Sequence, residues 1–392
     1  MSVPAASRIG VRRRPKDRKD QIVEAARQLI VHRGYRNVSM AEIAEAVGIT
    51  AGGLYRHFSN KAVLLGAVID KSFDDVIAAT TQRGMNLDAV LTMACEQVVT
   101  RRDTGALWWR ESRYLEPDTA ARLRRRLRDN NRSYQALIQA ERPSLSNVQA
   151  QRLAWGVQSI LASPSFHTSK LPHGEFVALL LAACRSLCAV ELGPPQPRPA
   201  PAPPKRRNGV LEPVSKRESL LTHAITLFER NGFEATSLNE IGTAAGVTGP
   251  NLYSYFASKA DILESATTRG VSALWLLLNR VLRNNDEPAK ALGDLVRGYI
   301  ELALDRTVLA SLLLSEQQSV DDVTRNRQRE YVAEWVALLR DSRPTIDEPS
   351  ARVVVHTALA VIHTMVQIGR EQDDPTFADD LGAMATAVLF SH

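Results

Sequence analysis

Cysteine is scarce in this chain, with three in 392 residues: Cys95, Cys184 and Cys188. An odd count on helical segments gives no disulfide framework, which points to a reduced, cytoplasmic compartment. Cys184 and Cys188 stand one helical turn apart and read as small buried core residues, with a redox pair as the alternative. No apolar run reaches the roughly 18 residues that cross a bilayer, so no membrane partner is expected. Residues 1–10 lack the apolar stretch of a secretory signal. Alternation of apolar and polar residues persists nowhere, which argues against sheets. A nucleophile elbow, phosphate loop, dinucleotide fingerprint and zinc spacing are all missing, so an enzyme is not expected. The eight histidines are scattered, and His356 and His363, seven apart on one helix face, read as core rather than as ligands. No cofactor and no metal is expected.

What is present is helical. Ile22, Ala25, Ala26, Leu29 and Ile30 recur at helix spacing, as do Leu220, Ala224, Leu227 and Phe228. Long amphipathic stretches fill the rest, so the fold class is all-α. The length suggests two or three domains. A net charge of +6 favours an acidic partner such as nucleic acid, and where the basic residues sit decides how much that means.

One segment is written twice. An offset of 198 residues, set by Gly34 and Gly232, aligns Ser39 with Ser237, Glu42 with Glu240 and Gly48 with Gly246 without a gap. It also aligns Thr50 with Thr248, Tyr55 with Tyr253, Phe58 with Phe256 and Lys61 with Lys259. A fixed-period match of this length means that a whole structural unit was duplicated. The expected organisation is a basic arm (1–17), a first DNA-binding domain (18–65) and a first helical regulatory domain (66–192). A proline-rich linker (193–214), a second DNA-binding domain (215–263) and a second regulatory domain (264–392) follow. Dense proline favours polyproline II, so a linker of some twenty residues would reach roughly 60 Å.

Within each copy the local signals agree. Ser39 with Glu42, and Ser237 with Glu240, are capping boxes that open a short helix. Gly48 and Gly246 close it, and Thr50 and Thr248 cap a second short helix, 51–56 and 249–254. Pro250 sits in the first turn, where its missing N–H costs nothing. Asn60 and Ser258 open a third helix, with Lys61 and Lys259 just inside. Two short helices joined by a tight turn make a helix-turn-helix, whose second helix enters the major groove.

Ile43-Ala44, Ala46-Val47-Gly48-Ile49-Thr50, Leu54-Tyr55, His57-Phe58 and Lys61 resemble the TetR family of bacterial regulators. Ile241-Gly242, Ala244-Ala245-Gly246-Val247-Thr248, Leu252-Tyr253, Tyr255-Phe256 and Lys259 match it again. Ala62 and Ala260 depart from the family, which usually has an acidic residue there. The tandem form is similar to actinobacterial repressors of lipid metabolism and of a mammalian-cell-entry operon. The resemblance implies that Tyr55, His57 and Lys61 grip backbone phosphates in one half-site, and Tyr253, Tyr255 and Lys259 in the other. It makes Thr50, Ala51, Gly52 and Arg56, against Thr248, Gly249, Pro250 and Asn251, the readers of base edges. Arg56 suits guanine or a phosphate, and Asn251 suits adenine. Leu54, Phe58, Leu252 and Phe256 read as core, and Tyr55 has a structural alternative. Arg12, Arg13 and Arg14, with Arg8, Lys16, Arg18 and Lys19, and later Lys205, Arg206, Arg207, Lys216 and Arg217, form basic arms that suit a minor groove or remain solvated. The run 122–128 reads as a charged face away from DNA.

The resemblance also implies a chamber for a small hydrophobic effector in each half. Candidate walls are Phe73, Met93, Trp108, Trp109 and Tyr114, then Trp275, Tyr299, Leu312, Leu313, Tyr331 and Trp335, with ordinary core as the alternative. Ala154, Val157, Ile160, Leu161, Phe176, Leu179, Leu180 and Ala183 are expected to pack on Val354, Ala358, Val361, Ile362 and Met365. Because the readers differ, one chain is expected to act as a monomeric pseudo-dimer on double-stranded DNA with two unlike half-sites, with room for more than one copy per operator. The expected function is a ligand-responsive repressor; the alternative is an effector-independent architectural DNA binder.

Overall fold

A computed structural model describes residues 15–81, 84–102, 104–194, 213–247, 249–305, 321–368 and 374–391. Among the described residues there is no strand, as the all-α reading expects. The first half runs α1 (Pro15–Arg33), α2 (Met40–Ala46), α3 (Ala51–Tyr55), α4 (Lys61–Thr81), α5 (Leu87–Thr100), α6 (Thr104–Glu111), α7 (Pro117–Glu141), α8 (Asn147–Ala162) and α9 (His173–Ala189). The second half runs α10 (Lys216–Asn231), α11 (Leu238–Ala244), α12 (Gly249–Leu252), α13 (Lys259–Asn284), α14 (Pro288–Leu304), α15 (Asp322–Ser342), α16 (Glu348–Ile368) and α17 (Phe377–Leu389). α1 begins at Pro15, inside the span read as a basic arm, so Arg18 and Lys19 stand on a helix.

The chain divides into two compact units, residues 1–78 with 103–128, and residues 79–102 with 129–392. In the first, Ile22, Ile30, Ile43, Leu54, Phe58, Leu65, Ile69, Leu107 and Leu123 are buried together. Burying each such side chain is worth about 1.5–3 kcal/mol. Two arginines of the run pair with α4: Arg122 Nη1 lies 2.7 Å from Asp70 Oδ2, and Arg126 Nη2 lies 2.7 Å from Asp74 Oδ1. Such half-exposed pairs contribute under about 1 kcal/mol each.

The second unit holds two cores. Leu220, Ile225, Phe228, Ile241, Leu252, Phe256 and Leu263 form the smaller, around α10 to α13. The larger runs through the remaining helices of both sequence halves. At its centre α16 packs on α8, α9 and α17, while α9 packs on α8 and α17, making a four-helix bundle. Ala154, Val157, Ile160, Phe176, Leu180, Val354, Ala358, Val361, Ile362 and Met365 all lie in one core, as the family resemblance implies.

Helix α16 corrects the expectation drawn from run length. Its most apolar 18-residue stretch has a mean hydropathy of 1.4, which is enough, by length and composition, to cross a bilayer. That stretch is 72% buried inside the protein, so its apolar character is spent on the bundle. A helix surrounded by other helices is apolar on every face.

Candidate nucleic-acid interface and ligand cluster

The two helix-turn-helix segments open their first short helix with the same pair of bonds. Ser39 N donates to Glu42 Oε2 at 2.7 Å, and Glu42 N donates to Ser39 Oγ at 3.2 Å. Ser237 and Glu240 repeat both bonds at the same lengths. The bond to Ser39, helped by Arg33, holds the Glu42 carboxyl down to about 2. Gly48 and Gly246 take φ of +67° and +64°, a left-handed conformation that side chains resist. Thr50 Oγ1 then accepts from Gly53 N at 3.1 Å and starts α3. In the first motif the recognition helix is thus fixed by caps on both sides of the turn.

This scaffold sorts the aromatic residues. Leu54, Phe58, Leu252 and Phe256 are at most 2% exposed, whereas Tyr55 is 52% and Tyr253 61% exposed. Thr50, Ala51, Gly52, Arg56, His57, Asn251 and Tyr255 are exposed as well. Gly249 and Pro250 lie on α12, while Thr248, Arg12, Arg13 and Arg14 lie outside the described residues. The exposed set on each recognition helix is the one that could meet DNA. A tyrosine left half bare beside a fully buried leucine has its hydroxyl free for an acceptor such as phosphate.

The lysines are placed differently from the tyrosines. Lys259 Nζ donates to Phe233 O at 2.8 Å, Thr236 O at 3.0 Å and Glu234 O at 3.2 Å, and sits 4.5 Å from the Phe233 ring centroid. Lys61 Nζ reaches Arg36 O at 3.4 Å and lies 4.2 Å from the Tyr35 ring centroid. Partial burial lowers the Lys61 pKa. Both ammonium groups therefore close the loop before α2 or α11 from inside, and a phosphate contact would compete with those carbonyls.

Two basic residues of the arms take structural places that the repeat offset already pairs. Lys19 Nζ stands 5.3 Å from the Phe58 ring, and Arg217 stands 4.3 Å from the Phe256 ring. Arg18 Nη1 donates to Val47 O at 3.2 Å, tying α1 to the turn. The 198-residue offset relates Lys19 to Arg217, and that equivalence was the available signal.

The candidate ligand walls separate into groups. Phe73 and Trp108 lie 5.5 Å apart in the first unit, and Tyr114 stacks on Tyr35 at 5.0 Å. Met93 packs against the large core of the second unit, and Trp109 is half-buried. In the second half the residues converge: Tyr299 lies 5.6 Å from Trp335 and 6.4 Å from Tyr331, and Trp275 lies 6.0 Å from Tyr331. His363, not expected there, joins them through a 2.6 Å contact between its Nε2 and the Tyr299 hydroxyl. The Tyr331 hydroxyl and the Trp335 indole N–H are buried, and neither reaches a hydrogen-bond partner outside this pair. Burial pushes the Tyr331 pKa up. Leu312 and Leu313 lie outside the described residues. Among the described residues no cluster of three or more His, Cys, Asp or Glu is placed to hold a metal.

The sequence matches the family model "Bacterial regulatory proteins, tetR family" twice, over residues 22–68 and 220–266. It is 26% identical over 149 residues to the HTH-type transcriptional repressor KstR2 of Mycolicibacterium smegmatis, covering 35% of this chain and 72% of that protein. It is 42% identical over 55 residues to the HTH-type transcriptional regulator TtgR of Pseudomonas putida, covering 14% of this chain and 26% of that one. Among solved structures, a TetR-family regulator from Bordetella parapertussis matches with a TM-score of 0.41 and 23% identity, covering 45% of this chain and 95% of the other. Twin helix-turn-helix segments, each opened by the same capping box and each matched by the same family model, give this chain two DNA-binding domains of the TetR family, in tandem.

Proposed function

We propose that the chain is a ligand-responsive transcriptional repressor that binds, as an intramolecular pseudo-dimer, an operator with two unlike half-sites. The observation that carries this reading is one scaffold carrying two different sets of residues on its recognition helices. Ala51, Gly52, Gly53, Arg56 and His57 stand where the second copy has Gly249, Pro250, Asn251, Ser254 and Tyr255. Side chains that differ at base-reading positions favour different sequences. The four-helix bundle joins helices from both sequence halves, which supports pairing within one chain. Tethering makes the second half-site contact intramolecular, at an effective concentration of order millimolar.

The effector is a small hydrophobic molecule that carries at least one hydrogen-bonding group. The aromatic cluster of Trp275, Tyr299, Tyr331 and Trp335 supports this, because the Tyr331 hydroxyl can donate to or accept from such a group and the Trp335 indole N–H can donate to it. Effector binding releases DNA by favouring an arrangement that does not fit the half-sites, which requires different effector affinity in the two states. The protein works in the cytoplasm, where its operator is. The likeness to a repressor over a third of the chain supports the sign of regulation.

Footprinting of the purified chain on its own promoter, with stoichiometry from native mass spectrometry, tests the reading. One chain protecting two dissimilar half-sites is the expected result. Two chains protecting a palindrome would overturn it.

A further inference from the structure

A second register relates the two halves beyond the DNA-binding motifs, offset by 201 residues. Arg142 N donates to Ile138 O and Leu145 N to Arg142 O, at 2.9 and 3.1 Å; Arg343 N and Ile346 N repeat this turn on Leu339 O and Arg343 O, at 2.9 and 3.0 Å. Arg142 Nη1 then reaches Cys188 O at 2.6 Å, and Arg343 Nη1 reaches Leu389 O at 2.9 Å. The same offset pairs buried Phe176 with Phe377, Leu180 with Leu381 and Leu187 with Val388. The bundle is therefore built from two equivalent helix pairs, α8 with α9 and α16 with α17.

Its two ends are not equivalent. At one end Arg152, 1% exposed on α8, donates from Nη1 to Thr376 Oγ1 at 2.8 Å and from Nη2 to Asp374 Oδ2 at 2.5 Å. Nη1 also bonds Asp380, itself 3% exposed on α17, whose other oxygen accepts from Gly193 N at 3.1 Å. At the other end the 201-residue offset puts Val353 in the place of Arg152 and Leu179 in that of Asp380. Val353 on α16 belongs to the apolar core and Leu179 on α9 packs against it, and the two helices pack together.

We propose that the Arg152–Asp374–Asp380 network is a pairing selector: it lets the bundle form between a first half and a second half, and penalises pairing of like with like. Two paired second halves would bury Asp380 twice, each opposite a Val353. Two paired first halves would bury Arg152 twice, with His173, Glu175 and Leu179 at the places of Asp374, Thr376 and Asp380. The one carboxylate among these, on Glu175, is exposed. A buried charge left without its partner is strongly unfavourable, whereas the pair itself adds little over an apolar pair of similar size. The network thus separates right from wrong partners more than it stabilises the right one. This inference deepens the pseudo-dimer reading and rests on it.

The test is the native mass of the full chain across a range of concentrations, for the unchanged protein and for Arg152→Val/Asp380→Leu, which copies the apolar end onto the ionic one. The unchanged chain is expected at 43.2 kDa throughout. The double variant should keep its helical signal and its melting temperature and show a species of doubled mass that grows with concentration. If the double variant fails to fold, Arg152→Met/Asp380→Leu, which fills more of the arginine's volume, is read by the same criteria. A folded variant that stays at single mass overturns the selector while leaving the pseudo-dimer intact. Loss of folding in both variants also overturns it, since the network would then hold the bundle together rather than choose its partner. An unchanged chain already of doubled mass would instead remove the pseudo-dimer reading itself.

Discussion

The Tyr299 hydroxyl lies 2.6 Å from Nε2 of His363, while the hydroxyl of Tyr331, whose ring stacks 6.4 Å from that of Tyr299, is buried with no hydrogen-bond partner beyond the Trp335 indole. The two tyrosines should therefore respond oppositely to loss of the hydroxyl. Tyr299→Phe leaves the imidazole without this bond and should cost about 1–3 kcal/mol. Tyr331→Phe removes a buried hydroxyl that has at most the Trp335 indole to bond and should be neutral or stabilising, by up to about 1 kcal/mol. Urea unfolding of the two variants beside the parent decides this, and equal destabilisation would contradict the assignment. If the cluster holds the effector, Tyr331→Phe should also weaken effector response without lowering stability.

Acid should destabilise the second unit through its buried histidines. Burial, with one another's and nearby arginine charges, holds His356 and His363 down to about 4 and His167 to about 2, against an ordinary 6.5. The unfolded chain therefore binds protons between about pH 4 and 6.5 that the folded chain refuses. Their stabilising effect is complete above pH 6.5 and is lost as pH falls toward 4. From pH 7 to 5 the loss is about 2 kcal/mol at most for each histidine. His167 and His356 stack at 4.7 Å, so their protonations oppose each other. Melting curves at both pH values should show a smaller acid-induced drop for His363→Gln than for the parent; equal drops would refute the assignment.

Base reading should be divisible between the copies. Arg56→Ala should alter preference in one half-site alone, and Asn251→Ala in the other, each by about 1–3 kcal/mol if the side chain reads a base edge. Binding titrations on operators changed one half-site at a time would reveal it. Uniform weakening across all operators would instead mark a phosphate contact.

Lysine 259 should behave as a loop anchor. With three carbonyl partners, its replacement in Lys259→Met should lower stability by about 1–2 kcal/mol after allowance for solvent. Lys61→Met, with one long bond at 3.4 Å, should cost less. The salt dependence of DNA binding separates this from a phosphate contact, whose loss would flatten the slope by about one. An unchanged slope with a lower melting temperature is the expected pair of results.

The sequence by itself determined whatever depends on neighbours within a turn or two. The capping boxes at Ser39 and Ser237, the left-handed glycines at 48 and 246, and the burial of Leu54, Phe58, Leu252 and Phe256 follow from local hydrogen bonding and helical periodicity. So do the helices of the bundle and their apolar faces. Tertiary structure alone decided which distant groups meet. Arg152 finds Asp374 and Asp380 more than two hundred residues away, and no spacing announces such a partner. Lys259, which a family pattern turns toward DNA, turns inward because the loop before α11 offers it three carbonyls. Met93 and Phe73, read as walls of one chamber, belong to different cores. Local rules fix which face of a helix is apolar, and only packing fixes what that face is laid against.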